Sequence, residues 1–185
     1  LALEQYHNWN GLCIEPNPTY WYGLSHRKCT VVAALVGGST KTDPQQEPEA
    51  VQVKFRGVYG GIVGKLDDKM ANRKNEPDAP TETRYVTPIR DVFTKFHVPS
   101  TIDYMSLDVE GSEYDVMKDF PFDKYTIKLM TIERPSNPLK QLLESHGYIK
   151  LKRLAWWGET LWAHTSMGLT SEHPKIVKIQ TEERN

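Results

Sequence analysis

The chain has 185 residues, with 23 lysines and arginines against 24 aspartates and glutamates and no basic block. This length fits one domain that buries roughly 70% of its unfolded surface, and the balanced charge argues against a surface that binds nucleic-acid phosphates. No apolar run approaches the roughly 20 residues that span a bilayer, and no signal peptide is present, so we expect a soluble protein of the cytoplasm without a membrane segment in this chain.

The first part of the chain alternates a strand with a helix. Leu1 to Trp9 is typical of the last turns of a helix, and because it does not begin with methionine we expect a fragment of a longer protein. Residues 12–14 form a short apolar strand, a helix follows over 20–27, and the β-branched run 30–36 predicts a strand buried on both faces. The order strand, helix, strand favours a parallel α/β fold.

The two cysteines lie at the edges of this first unit. Cys13 is inside the apolar strand pattern, and neither Cys13 nor Cys29 has the spacing of a zinc site. We therefore expect a buried thiol at Cys13 and no disulfide framework.

The middle of the chain is less regular. Residues 51–55 alternate as an edge strand would. The glycine-rich stretch 57–64 is either a flexible turn between weak strands, which we favour, or a backbone that approaches a ligand closely. Residues 65–82 are highly charged and contain prolines, which predicts a mobile loop.

Regular patterns return after residue 86. The predicted helices cover 86–98, 112–119 and 138–146, and the predicted strands cover 102–107, 127–132, 148–154 and 160–165. The last two strands flank Trp156 to Glu159 and predict an antiparallel hairpin that closes the sheet. The predicted fold is α/β, a mostly parallel sheet with an antiparallel closing hairpin, in a single domain over residues 1–185.

Carboxylates follow the predicted strands at two places. Ligands of open α/β sheets bind outside the carboxyl ends of the strands. Glu15 follows the first strand, where a carboxylate can accept hydrogen bonds from both ribose hydroxyls, although a surface or helix-capping carboxylate explains it equally well. The glycine-rich turn that usually accompanies a ribose-binding acid is not in the sequence.

The second group of carboxylates follows the strands at 102–107 and 127–132. Asp108, Glu110, Glu113 and Glu133 could act as a general base for a hydroxyl, or as oxygen ligands of Mg²⁺. Acids at a helix N-terminus are the alternative. That alternative suits Glu113 well, whereas we favour a functional role for Asp108 and Glu110.

Three tryptophans lie near the predicted hairpin. Trp156, Trp157 and Trp162 could form an aromatic wall beside the site, and packing of the hairpin explains them at least as well.

Several of these segments together resemble one family. GLCIEPNP, TVVAALVG, IDYMSLDVEGSEYDVMKDFPF, TIER and LWAH look like the FkbM-type methyltransferases, a branch of the S-adenosylmethionine-dependent Rossmann-like superfamily, and the similarity extends from Trp9 to His164. The resemblance implies methyl transfer from S-adenosylmethionine, commonly to a hydroxyl of a sugar or another small metabolite.

The resemblance also assigns roles to residues. It implies that Glu15 binds the ribose, that Pro16 and Asn17 border the adenine with Ala34 near its edge, and that Asp108 and Glu110 face the methyl-transfer site. Asp108 is the first candidate for base or metal ligand, Glu110 the second and Glu133 the third. Gly60 and Gly61 resemble a glycine pair that the family often shows.

One part of the family pattern is missing. The first, central strand and its glycine-rich turn are not in this chain, so with the strand order 3-2-1-4-5-7-6 a gap is expected in the middle of the sheet. We expect the parent protein to be the enzyme and this fragment to bind the cofactor poorly. The alternative is a catalytically inactive methyltransferase-like module used for binding or trafficking. A third interpretation is a nicotinamide-dependent oxidoreductase. It would share the acid after the first strand but explains neither the closing hairpin nor the acidic SLDVEG turn.

Overall fold

The computed structural model describes residues 2–38, 49–56, 59–64 and 80–184. The helices are α1 (Ala2–His7), α2 (Trp21–Ser25), α3 (Ile89–Lys95), α4 (Glu113–Met117), α5 (Asn137–Ser145) and α6 (Pro174–Val177), with 3-10 turns at Pro18–Tyr20 and Thr165–Met167. The strands are β1 (Leu12–Ile14), β2 (Thr30–Val32), β3 (Leu35–Gly37), β4 (Ala50–Arg56), β5 (Tyr59–Ile62), β6 (Thr81–Pro88), β7 (Thr101–Leu107), β8 (Thr126–Glu133), β9 (Tyr148–Arg153) and β10 (Glu159–His164).

The described strands form three sheets of an α/β structure. One has the order β7-β8-β10-β9, the second has the order β3-β6-β4-β5, and β1 pairs with β2 alone. β7 and β8 are parallel, while β10 is antiparallel to both of its neighbours. The predicted alternation after residue 100 and the closing hairpin are therefore confirmed, but a single continuous sheet is not present in the described part of the chain.

The main core lies between the β7-β8-β10-β9 sheet and its helices. Ile127, Met130 and Ile132 of β8 are completely buried, together with Leu139 and Leu143 of α5. Burying a side chain of this kind contributes about 1.5–3 kcal/mol. This packing fixes the positions at which β7 and β8 end.

The sequence explains where helix α5 begins and ends. The Ser136 side chain accepts a hydrogen bond from the amide of Leu139 (3.4 Å), Pro138 occupies the first turn, and Gly147 follows the helix with φ of 80°. A serine cap, an early proline and a glycine at positive φ are the usual boundaries of a helix. The helix predicted over 138–146 is confirmed.

The predicted strand over residues 30–36 is wrong as a single element. β2 pairs in parallel with β1, whereas β3 belongs to another sheet and pairs with β6. The amide of Ala34 donates to the carbonyl of Val32 (3.0 Å), so the chain turns between the two strands. Ala33 and Ala34 continue the apolar pattern of the sequence. Their side chains are small and contribute little packing that would keep the strand straight.

Two predictions about the middle of the chain also need correction. β4 is not an edge strand, because it pairs with β5 on one side and β6 on the other. Gly60 and Gly61 belong to β5 rather than to a turn, and a Cβ on Gly60 would lie 2.6 Å from Cδ1 of Phe55, its partner across the strands. The large side chain of Phe55 thus needs a glycine opposite it.

Two further boundaries differ from prediction. The loop predicted over 65–82 lies mostly outside the described residues, but Thr81 and Glu82 belong to β6. The helix predicted from residue 86 begins at Ile89, because β6 continues to Pro88, whose φ is −59°. Proline lacks an amide hydrogen for a sheet but has a φ compatible with the start of a helix.

Cys13 and Cys29 form a disulfide, contrary to the expected thiol. The parallel register aligns Cys13 with Val31, and Cys29 lies just before β2, so the two Cα atoms are 5.8 Å apart. This distance is within the range that a disulfide requires. The sequence predicted a buried thiol because the residues around Cys13 are apolar. It did not show that β1 pairs with β2, which brings Cys29 close to Cys13.

Among the described residues no helix is both long and apolar enough to cross a membrane.

Candidate active site

A cavity of about 530 Å³ lies where β1 and β7 end and where β3 and β5 pass. Three carboxylates line it, those of Glu15, Asp108 and Glu110. Its other lining groups include apolar side chains and the two glycines of β5, namely Ile14, Leu35, Val36, Phe55, Gly60, Gly61 and Ile62. The volume is within the range of sites for small ligands.

The loop after β1 holds Glu15 in a fixed position. Oε1 of Glu15 accepts a hydrogen bond from the amide of Asn17 (2.7 Å), and the carbonyl of Glu15 accepts one from Nε1 of Trp21 (2.9 Å). Oδ1 of Asn17, which is buried, accepts from the amide of Thr19 (3.0 Å). Burial raises the pKa of Glu15. The carboxylate is thus held at the cavity with one oxygen already hydrogen-bonded within the loop.

Most residues expected around an adenosine line this cavity. Pro16 and Asn17 do so beside Glu15. Ala34 is not among the lining residues, but the next two residues of the chain, Leu35 and Val36, are.

The acids after β7 and β8 meet because the two strands are parallel and in register. Leu107 pairs with Ile132, so Asp108 and Glu133 follow at adjacent positions. Carboxylate oxygens of Asp108, Glu113 and Glu133 lie within 4.8 Å of one another. Burial, the carboxylates of Asp108 and Glu110, and a hydrogen bond to Asp108 raise the pKa of Glu133 to about 8. The neighbouring carboxylates thus favour uptake of a proton by Glu133, while the guanidinium of Arg134, 2.6 Å from its Oε2, favours the charged form.

Glu113 has a structural role in the turn that follows β7. Its Oε1 accepts hydrogen bonds from the amides of Val109 (3.2 Å) and Gly111 (3.1 Å). Between them Glu110 has φ of 52°, a conformation that few residues with a side chain adopt. Strained backbone of this kind persists only when its surroundings hold it in place, and it is frequent at functional sites.

Arg134 connects the acids at the ends of the two strands. Its guanidinium lies 2.6 Å from Oε2 of Glu133 and 3.7 Å from Oε2 of Glu110. Gly158, in the hairpin turn, accepts a hydrogen bond from the Arg134 amide (3.1 Å), and a Cβ on Gly158 would lie 2.7 Å from Cγ of Arg134. The glycine therefore leaves space for the arginine side chain.

Sequence reasoning missed Arg134 and Glu159. Glu159 pairs with Glu133 across β10 and β8, and burial together with the charge of Asp108 raises its pKa. An antiparallel strand begins at the edge where parallel strands end, so Glu159, the residue just before the predicted strand over 160–165, could have been included. The "ER" after the predicted strand likewise placed Arg134 at this edge.

The tryptophans do not form one wall. Trp162 is buried in the core, and its Nε1 donates to Oγ1 of Thr160 (2.9 Å). Trp156 is exposed, contacts Trp157 edge to face and lies beneath the guanidinium of Arg184. The packing interpretation is correct for Trp162.

Comparison with known proteins identifies a family. The sequence model of the Methyltransferase FkbM domain matches residues 1–151. No curated protein and no solved structure matches the chain. The matched region contains the Glu15 loop and the ends of β7 and β8.

Proposed function

The chain belongs to the FkbM methyltransferase family, an S-adenosylmethionine-dependent class of enzymes, and from that premise we propose that it methylates a hydroxyl oxygen of a sugar or another small metabolite. The observation that supports this most is that one cavity is lined by Glu15, which follows β1, and by Asp108 and Glu110, which follow β7. The position of Glu15 suits a ribose. The position of Asp108 and Glu110 suits a cationic sulfur and a hydroxyl that loses its proton.

The residues present fit S-adenosylmethionine in their chemistry. A carboxylate such as that of Glu15 accepts hydrogen bonds from two neighbouring hydroxyls, which a ribose offers. The apolar side chains of Leu35, Val36 and Phe55 suit the faces of an adenine. Asp108 and Glu110 supply negative charge where the sulfonium would be held.

Glu15→Gln is expected to weaken S-adenosylmethionine binding by about tenfold or more, because a hydrogen bond to a charged group contributes about 1.5–3 kcal/mol. Isothermal titration of the full-length protein measures the change. The matched control is Glu144→Gln on the exposed side of α5, where no effect is expected. Unchanged affinity in Glu15→Gln would remove Glu15 from the cofactor site.

For the chemistry, S-adenosylmethionine supplies an activated methyl group when it is bound. The protein must hold the acceptor oxygen in line with that group and take away its proton. Asp108 is the first candidate for the proton acceptor. Glu133, whose pKa is raised by its burial and by Asp108, is hydrogen-bonded to Asp108 and keeps that carboxylate oriented. Glu110 contributes negative charge and is the second candidate.

The carboxylate oxygens of Asp108, Glu113 and Glu133 support a second proposal, the binding of a divalent cation such as Mg²⁺. Three carboxylates with oxygens within 4.8 Å of one another are a suitable ligand set. Glu133 must lose its proton before it can bind a metal, so Mg²⁺ affinity should rise as the pH increases through about 8. Titration with Mg²⁺ at pH 6.5 and 9 tests this, and absence of binding at pH 9 would rule it out.

We also propose that the separate sheets belong to one Rossmann-like sheet. In the described residues β1 bonds only to β2 and β7 bonds only to β8, which leaves one open edge on each. The family order requires one central strand at this place, with β2-β1 on one side and β7-β8-β10-β9 on the other. Trp9, just before β1, contacts Tyr104 of β7 with ring centroids 6.4 Å apart, so the two sheets are neighbours here.

The compartment needs a different proposal from the cytoplasm expected above. Disulfides persist in oxidising environments and are rare in the cytosol. The Cys13–Cys29 disulfide therefore supports a secretory, extracellular or periplasmic location.

A further inference from the structure

We propose that Trp156 and Trp157, in the turn between β9 and β10, bind the methyl acceptor by stacking against one face of its ring. This inference rests on the proposed function, and it names what the site recognises in the acceptor, a flat ring that has an apolar face and carries hydroxyls. A sugar ring and a hydroxylated aromatic ring share this chemistry. Neither tryptophan is among the described residues that line the cavity containing Glu15, so this surface is separate from the proposed cofactor site.

The turn that carries the two tryptophans lies at the edge of the sheet where the acids are. Gly158, the residue after Trp157, accepts a hydrogen bond from the amide of Arg134 (3.1 Å), which directly follows β8. Glu159 then pairs with Glu133, the last residue of β8, and the parallel register places Asp108 beside Glu133. The acceptor hydroxyl must lie at Asp108 in the proposed reaction, so the remainder of an acceptor at this edge is near the turn.

Hydrogen bonds hold the turn in one conformation. The amide of Gly158 donates to the carbonyl of Ala155 (3.1 Å), and Nε of Arg153 donates to the same carbonyl (2.9 Å). The amide of Trp156 donates to the carbonyl of Glu182 (2.9 Å), so the C-terminal segment supports the turn from outside. Side chains on such a turn are in place before a ligand arrives, which reduces the entropy that is lost on binding.

Both indoles combine apolar surface with an N–H group that can still donate. Trp156 is 40% exposed, Trp157 is half-buried, and the two rings contact each other edge to face with centroids 5.8 Å apart. The indole nitrogens of Trp21 and Trp162 donate hydrogen bonds within the protein, whereas those of Trp156 and Trp157 have no partner among the described residues. A hydroxylated ring offers C–H or π surface to an indole face and oxygen atoms to an indole N–H.

Arg184 distinguishes the roles of the two tryptophans. Its guanidinium lies 5.2 Å from the centroid of the Trp156 ring and so occupies one face of that ring. Among the described residues the aromatic contact of Trp157 is with Trp156. We therefore assign the stacking face to Trp157, while Trp156 supports it through the edge-to-face contact.

The test measures how the full-length protein, saturated with S-adenosylmethionine, binds ring-bearing and open-chain hydroxyl compounds. The ring probes are methyl glycosides of glucose, galactose and mannose together with catechol, and the open-chain probe is sorbitol. Saturation-transfer NMR gives the Kd of each probe, and production of S-adenosylhomocysteine gives KM and kcat for the probes that react. Comparison of the glycosides with catechol shows which kind of ring the turn accepts.

Trp157→Leu is expected to raise the Kd of the ring probes by at least about fivefold, because it removes the stacking face and the N–H donor. Trp156→Leu should cause a smaller rise. In both variants the affinity for S-adenosylmethionine and kcat should change by less than about twofold, since neither side chain lines the cavity. Tyr85→Leu, which removes an exposed aromatic side chain from β6, should leave every value unchanged.

A second measurement needs no substitution. On addition of a ring probe to the unaltered protein, the indole N–H signals of Trp156 and Trp157 should shift in the NMR spectrum, while that of the buried Trp162 should not. Circular dichroism shows whether each variant is folded. If Trp157→Leu is unfolded, these N–H signals decide.

The outcomes separate this inference from the proposed function. A rise in Kd that is confined to the ring probes, together with shifts of the two N–H signals, supports the inference. Unchanged Kd values in both tryptophan variants, constant N–H signals, or no binding of any ring probe overturn it, and the proposed function still holds if S-adenosylmethionine binds. Failure of the unaltered protein to bind S-adenosylmethionine contradicts the proposed function and this inference with it.

Discussion

Asp108→Asn is expected to reduce methyl transfer by between about a hundredfold and ten-thousandfold, the usual contribution of a general base, while cofactor affinity changes by no more than about tenfold. Asparagine keeps the size of the side chain but cannot accept the hydroxyl proton at neutral pH. Production of S-adenosylhomocysteine, measured at saturating cofactor with a panel of sugars and small hydroxylated metabolites, gives the rate. Isothermal titration of the same variant gives the affinity.

Two other variants make this result specific. Asp103→Asn, on the same strand but exposed and paired with Lys128 (2.7 Å), should leave turnover unchanged. Glu133→Gln resembles the protonated form of Glu133 and can still donate a hydrogen bond to Asp108, so we expect a loss of less than about tenfold.

Loss of turnover and cofactor binding together in Asp108→Asn would assign Asp108 to the cofactor instead. A complete loss in Glu133→Gln would favour the metal interpretation, since an amide is a poor replacement for a ligating carboxylate.

The second half of the fold was predictable because its information is local. Leu139 and Leu143 recur at helical spacing between a serine cap and a glycine, and Ile127 to Ile132 is apolar between two helical patterns. Such spacing depends only on which residues are near in sequence. The split of residues 30–36 between two sheets could not be predicted in this way, because the choice of partner, β1 for Val31 and β6 for Val36, depends on distant segments.

The residues of the candidate site also divide into those that the sequence identified and those that it missed. Glu15 and Asp108 were found because each ends a strand, and the rule that ligands meet the carboxyl ends of strands needs only the strand assignment. Arg134 and Glu159 were missed because their importance depends on contacts, an ion pair with Glu110 and an antiparallel register opposite Glu133. The raised pKa of Glu133 likewise depends on the carboxylates around it and on its burial. Strand ends thus predict candidate residues, while pairing determines what those residues can do.

Removing the disulfide, by Cys13→Ser with Cys29→Ser, is expected to lower the free energy of unfolding by roughly 3 kcal/mol, the value for a closed loop of about 15 residues. The two cysteines are 16 positions apart, and the loop between them contains Glu15 and Asn17. β1 and β2 have three residues each, so few backbone hydrogen bonds hold this loop. Urea denaturation of the two proteins measures the difference, and the cofactor affinity of the variant should fall as the Glu15 loop loosens.

Reduction provides the control for this change and also tests the compartment. Dithiothreitol should destabilise the unaltered protein by a similar amount and should have no effect on the double variant. The ion pair between Arg27 and Glu4 (2.7 Å) still ties the end of the loop to α1 after reduction, so the loop should loosen without unfolding the β7-β8-β10-β9 sheet. Two free thiols in the protein purified from its natural source without reductant would contradict the disulfide and restore the cytoplasmic expectation. Because Glu15 lies two residues from Cys13, reduction of the disulfide is expected to loosen the carboxylate that we propose to bind the ribose.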